Sequence, residues 1–193
     1  MIRLLLFSLC LTACSMQEGG GSPLIPPPPP PSPTELITVY GFDEEQKAIV
    51  LEGLRLAVAD ISGVYGPAEL PVPLEVRHAE PDFWFDPLTP CFDPRKYGMG
   101  ETEYQGLIAQ GLRCVWGFAA VWGWPLGIVM TPHRLPDGAV NLTHLLDLSR
   151  HEAWHVAAFW SHGTKICPNG LGQVYFAVGH GGPCDPFSRK QEP

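Results

Sequence analysis

The chain has 193 residues and a mass of 21.1 kDa, which leaves room for one domain rather than two. Twelve Lys and Arg face 20 Asp and Glu, a formal net charge of −8, so the basic footprint that phosphate-backbone binding needs is missing and a nucleic-acid binder is excluded as a reading. Apolar residues make up 45% of the chain, enough for a core, while the longest apolar stretch lies at the N-terminus and is too short to span a bilayer, which rules out a polytopic membrane protein.

In chain order, the first element is a secretory signal: Arg3, then the apolar run Leu4 to Cys10, then a small-residue exit. Its last residues, Leu11-Thr12-Ala13-Cys14, resemble the bacterial lipobox. That resemblance implies removal of residues 1–13, lipidation of Cys14 and anchoring by several acyl chains. Ser15 follows the anchor where an inner-membrane retention signal would place Asp, so the expected location is the bacterial cell envelope, at the outer membrane or cell surface. Residues 14–33 form the lipid anchor and a tether of Gly19 to Gly21 and clustered prolines, with no capacity to bury a core. The globular domain is expected over 34–193.

Within that domain, Asp43 and Gln46 form a capping box ahead of Val50, Leu54, Ala57, Val58 and Ile61 at helical spacing, with Gly63 as a stop. This predicts a helix over 44–62. Residues 72–78 read as a weak strand, 81–98 as an irregular loop, and 102–113 as a second helix opened by Thr102 and Gln105. Trp116 to Thr131 reads as strand, broken at Gly123–Pro125. A long helix starts at Asn141 or Thr143 and runs to about 160, and a short strand follows at 173–178.

Four cysteines remain after the signal and the anchor: Cys91, Cys114, Cys167 and Cys184. An even number in an exported domain reads as disulfides. Three connectivities are possible, and loop-closure entropy favours Cys91–Cys114 with Cys167–Cys184. A Cys-ligated zinc is the rival, disfavoured because no CxxC spacing occurs.

Six of the seven histidines lie between positions 133 and 180, and two of them frame His151-Glu152-Ala153-Trp154-His155. On a helix, positions i and i+4 share a face one turn apart, so both imidazoles can reach one zinc while Glu152 serves as general base. Chance alone gives such a motif in roughly 1–2% of chains of this composition, so it is weighed as chemistry. Leu148, Ser149 and Arg150 come before, uncharged Ala153 and Trp154 lie inside, and apolar Val156 and Ala157 follow, so no charge intrudes at an inner position.

This stretch resembles the extended HExxH motif of zincin metallopeptidases, tightly over about ten residues and loosely over 43–162. The resemblance implies an α+β, zincin-like small domain with a backing helix, a small sheet, an edge strand and an active-site helix. Gly127–Thr131 is the candidate edge strand, able to pair with an extended peptide. It also implies Zn²⁺ as cofactor, held by His151, His155 and a third ligand.

The third ligand stays open. Glu192 is the only later Glu, which disfavours the gluzincin pattern, and the metzincin pattern meets Ala158 and Ser161 at its Gly and His positions, with no Met after Met130. His162 stands eleven residues after His151, about 16 Å along an unbroken helix. It can therefore ligate only if the helix breaks near Phe159, and Gly163 argues against a break. His180 is its equal as a candidate, with Asp185 behind, near or inside a Cys167–Cys184 loop. His144 lies on the His151 face but is too distant to ligate, and reads as an exposed or supporting residue. His133 and Tyr175 are candidates for oxyanion stabilisation.

Two function classes follow. One is a membrane-tethered zinc hydrolase, a metallopeptidase acting on a peptide or protein. The other is a non-catalytic surface or envelope lipoprotein whose zincin-like domain binds or supports.

Overall fold

The structure, a computed structural model, describes residues 36–84, 88–109, 111–120 and 127–162. The expected signal peptide, the lipidated Cys14, the tether, Cys167–Cys184, His180, Asp185, Tyr175 and the strand at 173–178 lie outside the described residues.

The domain is mixed α/β. Its elements run β1 (Ile37–Tyr40), α1 (Glu44–Tyr65), β2 (Leu74–His78), β3 (Phe83–Trp84), β4 (Pro90–Cys91), a 3-10 turn (Pro94–Tyr97), α2 (Glu101–Ala109), β5 (Gly117–Ala120), β6 (Gly127–Met130) and α3 (Leu142–His162). Four strands form one sheet in the order β1-β2-β6-β5. β1, β2 and β6 are mutually parallel, and β5 runs antiparallel to β6.

The capping box forms as expected. Asp43 accepts the Gln46 N–H at 2.8 Å, and the Gln46 side chain accepts the Asp43 N–H at 3.4 Å. The helix then runs three residues past its expected end, through Gly63, and stops where Gly66 adopts φ +97°. Gly63 stays helical because nothing in the sequence there forces a left-handed residue. β1 is a strand the sequence reading passed over, although Ile37-Thr38-Val39-Tyr40 is β-branched and alternates. The expected loop at 81–98 contains the β3–β4 pair and the 3-10 turn.

α1 and α3 lie side by side on one face of the sheet. Val50, Leu54, Ala57 and Ile61 from α1 meet Leu74 and Val76 from β2, Ile128 and Met130 from β6, and Leu145, Val156 and Ala157 from α3. On the opposite face Val129 packs with Ala79 and Phe92, flanked by Tyr97, Val115 and Phe118. β6 is therefore covered on both faces. This corrects the expectation that Gly127–Thr131 is the edge strand: β6 lies between β2 and β5, and β5 is the edge.

Two contacts fix α3 against α1. Gly53 lets the helices approach, since a Cβ there would overlap Ser149 Oγ and lie 3.0 Å from the Arg150 nitrogen. Asp60 accepts from Arg150 Nε at 2.6 Å, from Arg150 Nη2 at 2.8 Å and from Trp154 Nε1 at 2.8 Å. Burial alone would raise the Asp60 carboxyl, but these hydrogen bonds and the Arg150 charge outweigh it and hold it below the usual range. Among the described residues no helix is long and apolar enough to cross a membrane.

Candidate active site

α3 carries the HExxH residues on a continuous helix, opened by Asn141, whose side-chain oxygen accepts the His144 N–H at 3.1 Å. His151 Nε2 and His155 Nε2 come within 3.3 Å of each other, with ring centroids 5.0 Å apart. Zinc takes imidazole nitrogens at about 2.0–2.1 Å, and at a tetrahedral angle two such nitrogens stand about 3.3–3.4 Å apart. The pair thus fits two ligands of one tetrahedral zinc. Among the described residues no third His, Cys, Asp or Glu joins them.

α3 also decides one candidate. It continues unbroken to His162, so the break near Phe159 that ligation by His162 requires is absent. The physical reason lies at the helix end. Ser161 Oγ accepts the Glu69 N–H at 2.8 Å and donates to the Glu69 carbonyl at 3.2 Å, and the His162 ring lies 6.0 Å from Tyr65. These contacts tie the last turn to the segment after α1 and leave His162 about 16 Å along the axis from His151. His162 is therefore removed as the third ligand.

Glu152 lies on the sheet side of α3 and is only 5% exposed. Its carboxyl rests against Gly117, the first residue of β5; a Cβ at Gly117 would lie 2.7 Å from Glu152 Cδ and 2.8 Å from Cγ. Only glycine accommodates this approach of edge strand to carboxylate. Burial pushes the Glu152 pKa up to about 8.

Beside this contact opens a cavity of about 910 Å³. Its walls are Gly111 to Gly117 on one side and His144, Asp147, Leu148, His151 and Glu152 of α3 on the other. The 111–117 wall is anchored by the Cys91–Cys114 disulfide, with Cα atoms 5.6 Å apart, and by paired backbone hydrogen bonds between Phe92 and Val115 at 3.0 and 3.1 Å. The expected Cys91–Cys114 pairing is thus present. A second cavity, of about 840 Å³, lies over the outer side of α1 near Ile37, Leu70 and Trp160 and holds none of the motif residues.

Two further histidines, His133 and His144, form an aromatic cluster with Trp116 at the cavity wall. His133 and His144 stack with centroids 3.7 Å apart, and the Trp116 ring stands edge-on to His133 at 4.9 Å and to His144 at 6.4 Å. His144 is half-buried and lines the cavity, whereas His133 is placed behind it in the stack. Gly117, the 111–116 wall and the Asp60 anchor escaped the sequence reading. The one signal available was the glycine that opens Gly117-Phe118-Ala119-Ala120, because an isolated glycine in a strand pattern often marks a close approach.

Comparison with protein-family models, with curated proteins and with solved structures found no match to this chain.

Proposed function

We propose that this chain is a membrane-tethered zinc-dependent hydrolase of zincin type, a metallopeptidase in which His151 and His155 hold Zn²⁺ and Glu152 is the general base. The observation that carries the reading is the 3.3 Å between the two Nε2 atoms, on the same turn of α3 that aims Glu152 at the start of the edge strand. The layering supports it: α1 behind, β1, β2 and β6 parallel, β5 antiparallel at the edge of the described sheet, and α3 carrying the motif. In this reading His180 is the third ligand, with Asp185 behind it. The lipobox resemblance adds the anchor at Cys14 and a location in the bacterial cell envelope.

When bound, zinc supplies Lewis acidity that lowers the pKa of a water and polarises a carbonyl. Glu152 takes the proton of the attacking water and delivers it to the leaving amine. Burial favours the protonated form of Glu152, and a zinc held by His151 and His155 would favour the ionised one. Among the described residues β5 pairs with β6 alone, so its other edge offers main-chain hydrogen bonds to an extended peptide, and the cavity beside Glu152 receives that peptide's side chains.

The test is metal analysis of the dialysed, oxidised protein together with peptide cleavage. About one zinc per chain is expected, lost in His151→Ala and kept in Glu152→Gln, which should lower hydrolysis by roughly 10²- to 10⁴-fold. A folded, disulfide-paired protein without zinc would overturn this reading and favour the non-catalytic binding or structural lipoprotein.

A further inference from the structure

The cavity beside Glu152 holds an imidazole that the catalytic reading leaves unused. His144 precedes His151 by seven residues on α3, two turns along the same face, or about 10 Å along the axis. Three contacts hold its ring. It stacks on His133 with planes 8° apart, it meets the edge of Trp116, and its Nδ1 accepts the backbone N–H of His133 at 3.1 Å. A backbone amide can only donate, so Nδ1 presents a lone pair and the neutral ring carries its proton on Nε2. Burial and the neighbouring His133 push the His144 pKa down to about 4, which keeps the ring neutral near pH 7. Nε2–H makes no hydrogen bond among the described residues.

The lining around this donor decides what it can meet. Leu112, Val115, Trp116 and Leu148 are apolar. Arg113 stands in this lining with the acidic side chains of Asp147 and Glu152, so the lining presents no net positive charge to draw an anion. A neutral acceptor on an otherwise apolar chain fits, and a peptide carbonyl is such an acceptor. At about 3.3 Å per residue of extended chain, 10 Å corresponds to about three residues.

We propose that His144 is a substrate-recognition residue whose Nε2–H donates to a main-chain carbonyl of an extended peptide, about three residues from the bond cleaved beside Glu152. The peptide nature of this ligand rests on the metallopeptidase reading, while the donor and its cavity belong to the fold.

The experiment uses the full chain in detergent, labelled with ¹⁵N-histidine, prepared zinc-free and zinc-loaded. The probe is a pool of acetylated, amidated heptapeptides of neutral and apolar residues. The His144 Nε2 resonance should move on adding the pool in both preparations. His144→Phe, which keeps an aromatic ring in the stack, should weaken binding roughly fivefold, and His144→Gln, which restores an N–H donor, should recover part of the loss. Zinc content should be unchanged in both variants. An unmoved His144 resonance, or His144→Phe binding like wild type, would overturn the proposal. Peptide binding with the His144 shift, in a chain that takes up no zinc, would overturn the metal reading alone.

Discussion

The two sides of α3 are built to different standards. Toward α1, the helix is locked: Gly53 admits Ser149, and Asp60 holds both Arg150 and Trp154. Toward β5, it faces open volume, with His144, His151 and Glu152 lining a cavity of about 910 Å³. No hydrogen bond among the described residues holds the Glu152 carboxylate; glycine at 117 and burial alone position it. One side fixes the helix by close packing and an ion pair, and the other places His144 and Glu152 at a cavity wall. A buried carboxyl can keep its place without a hydrogen bond because the opposite face of the same helix is rigidly held.

That contrast predicts that changes on the α1 side alter stability and leave the folded protein's site intact, whereas changes on the β5 side alter ligand or substrate handling. The largest effect is expected at the border between the two. Replacing Cys91 and Cys114 by Ala opens a loop of 23 residues that anchors the cavity wall, so denaturant midpoints should report a loss of about 2–4 kcal/mol. Peptide binding by the folded fraction should weaken as well, and unchanged binding would show that the wall holds its shape without the bridge.

Gly117→Ala comes next. The new methyl overlaps the Glu152 carboxyl, and under the proposed peptidase reading its displacement by about 1 Å should cost on the order of 10²-fold in kcat/KM. Zinc content and the thermal midpoint should change little. A large drop in the midpoint with normal kcat/KM would place Gly117 with the scaffold and erase the contrast.

On the α1 side, Gly53→Ala forces apart two packed helices, because the Arg150 backbone as well as the Ser149 side chain stands in the way. A loss of about 1–3 kcal/mol is expected by urea denaturation, with zinc content per folded chain unchanged.

The smallest effect is expected at Asp60. Asp60→Asn should lose about 1–2 kcal/mol, a modest figure because the ion pair is partly exposed to solvent. The sign of its pH dependence is set by the lowered carboxyl pKa in the folded state. The unfolded chain binds the proton more readily, so the contribution is full above the ordinary value of 3.8 and disappears as pH falls through the lower folded value. Acid titrations should therefore separate wild type from Asp60→Asn at pH 5 and bring them together at the acid extreme. A gap that widens on acidification would contradict the assignment.

Some of this was legible in the sequence because it is local. The capping box of α1 depends on Asp43 and Gln46, three positions apart. The meeting of His151 and His155 depends on helical spacing over four positions, and α3 supplies it. The Cys91–Cys114 bridge followed from the entropy of closing a short loop. The edge strand was misplaced for a different reason. A short apolar run does not state whether a neighbour lies on one side or both. The fully apolar Ile128-Val129-Met130 did carry a hint of a strand buried on both faces, against the half-buried Phe118-Ala119-Ala120 of β5.

The sequence by itself determined the residue types and their spacing along each helix: two imidazoles one turn apart, the carboxylate between them, and the caps and cysteines around them. Those features depend on backbone geometry over a few residues, which a linear pattern encodes directly. Only the tertiary structure decided that α3 runs on unbroken to His162, since Ser161 is bound to Glu69, 92 positions earlier. Packing likewise decided that Glu152 meets Gly117 and that His133 fixes the His144 proton on Nε2. Each of these is a contact between separate elements, set by how closely two backbones can approach, and no periodicity within either element records that distance.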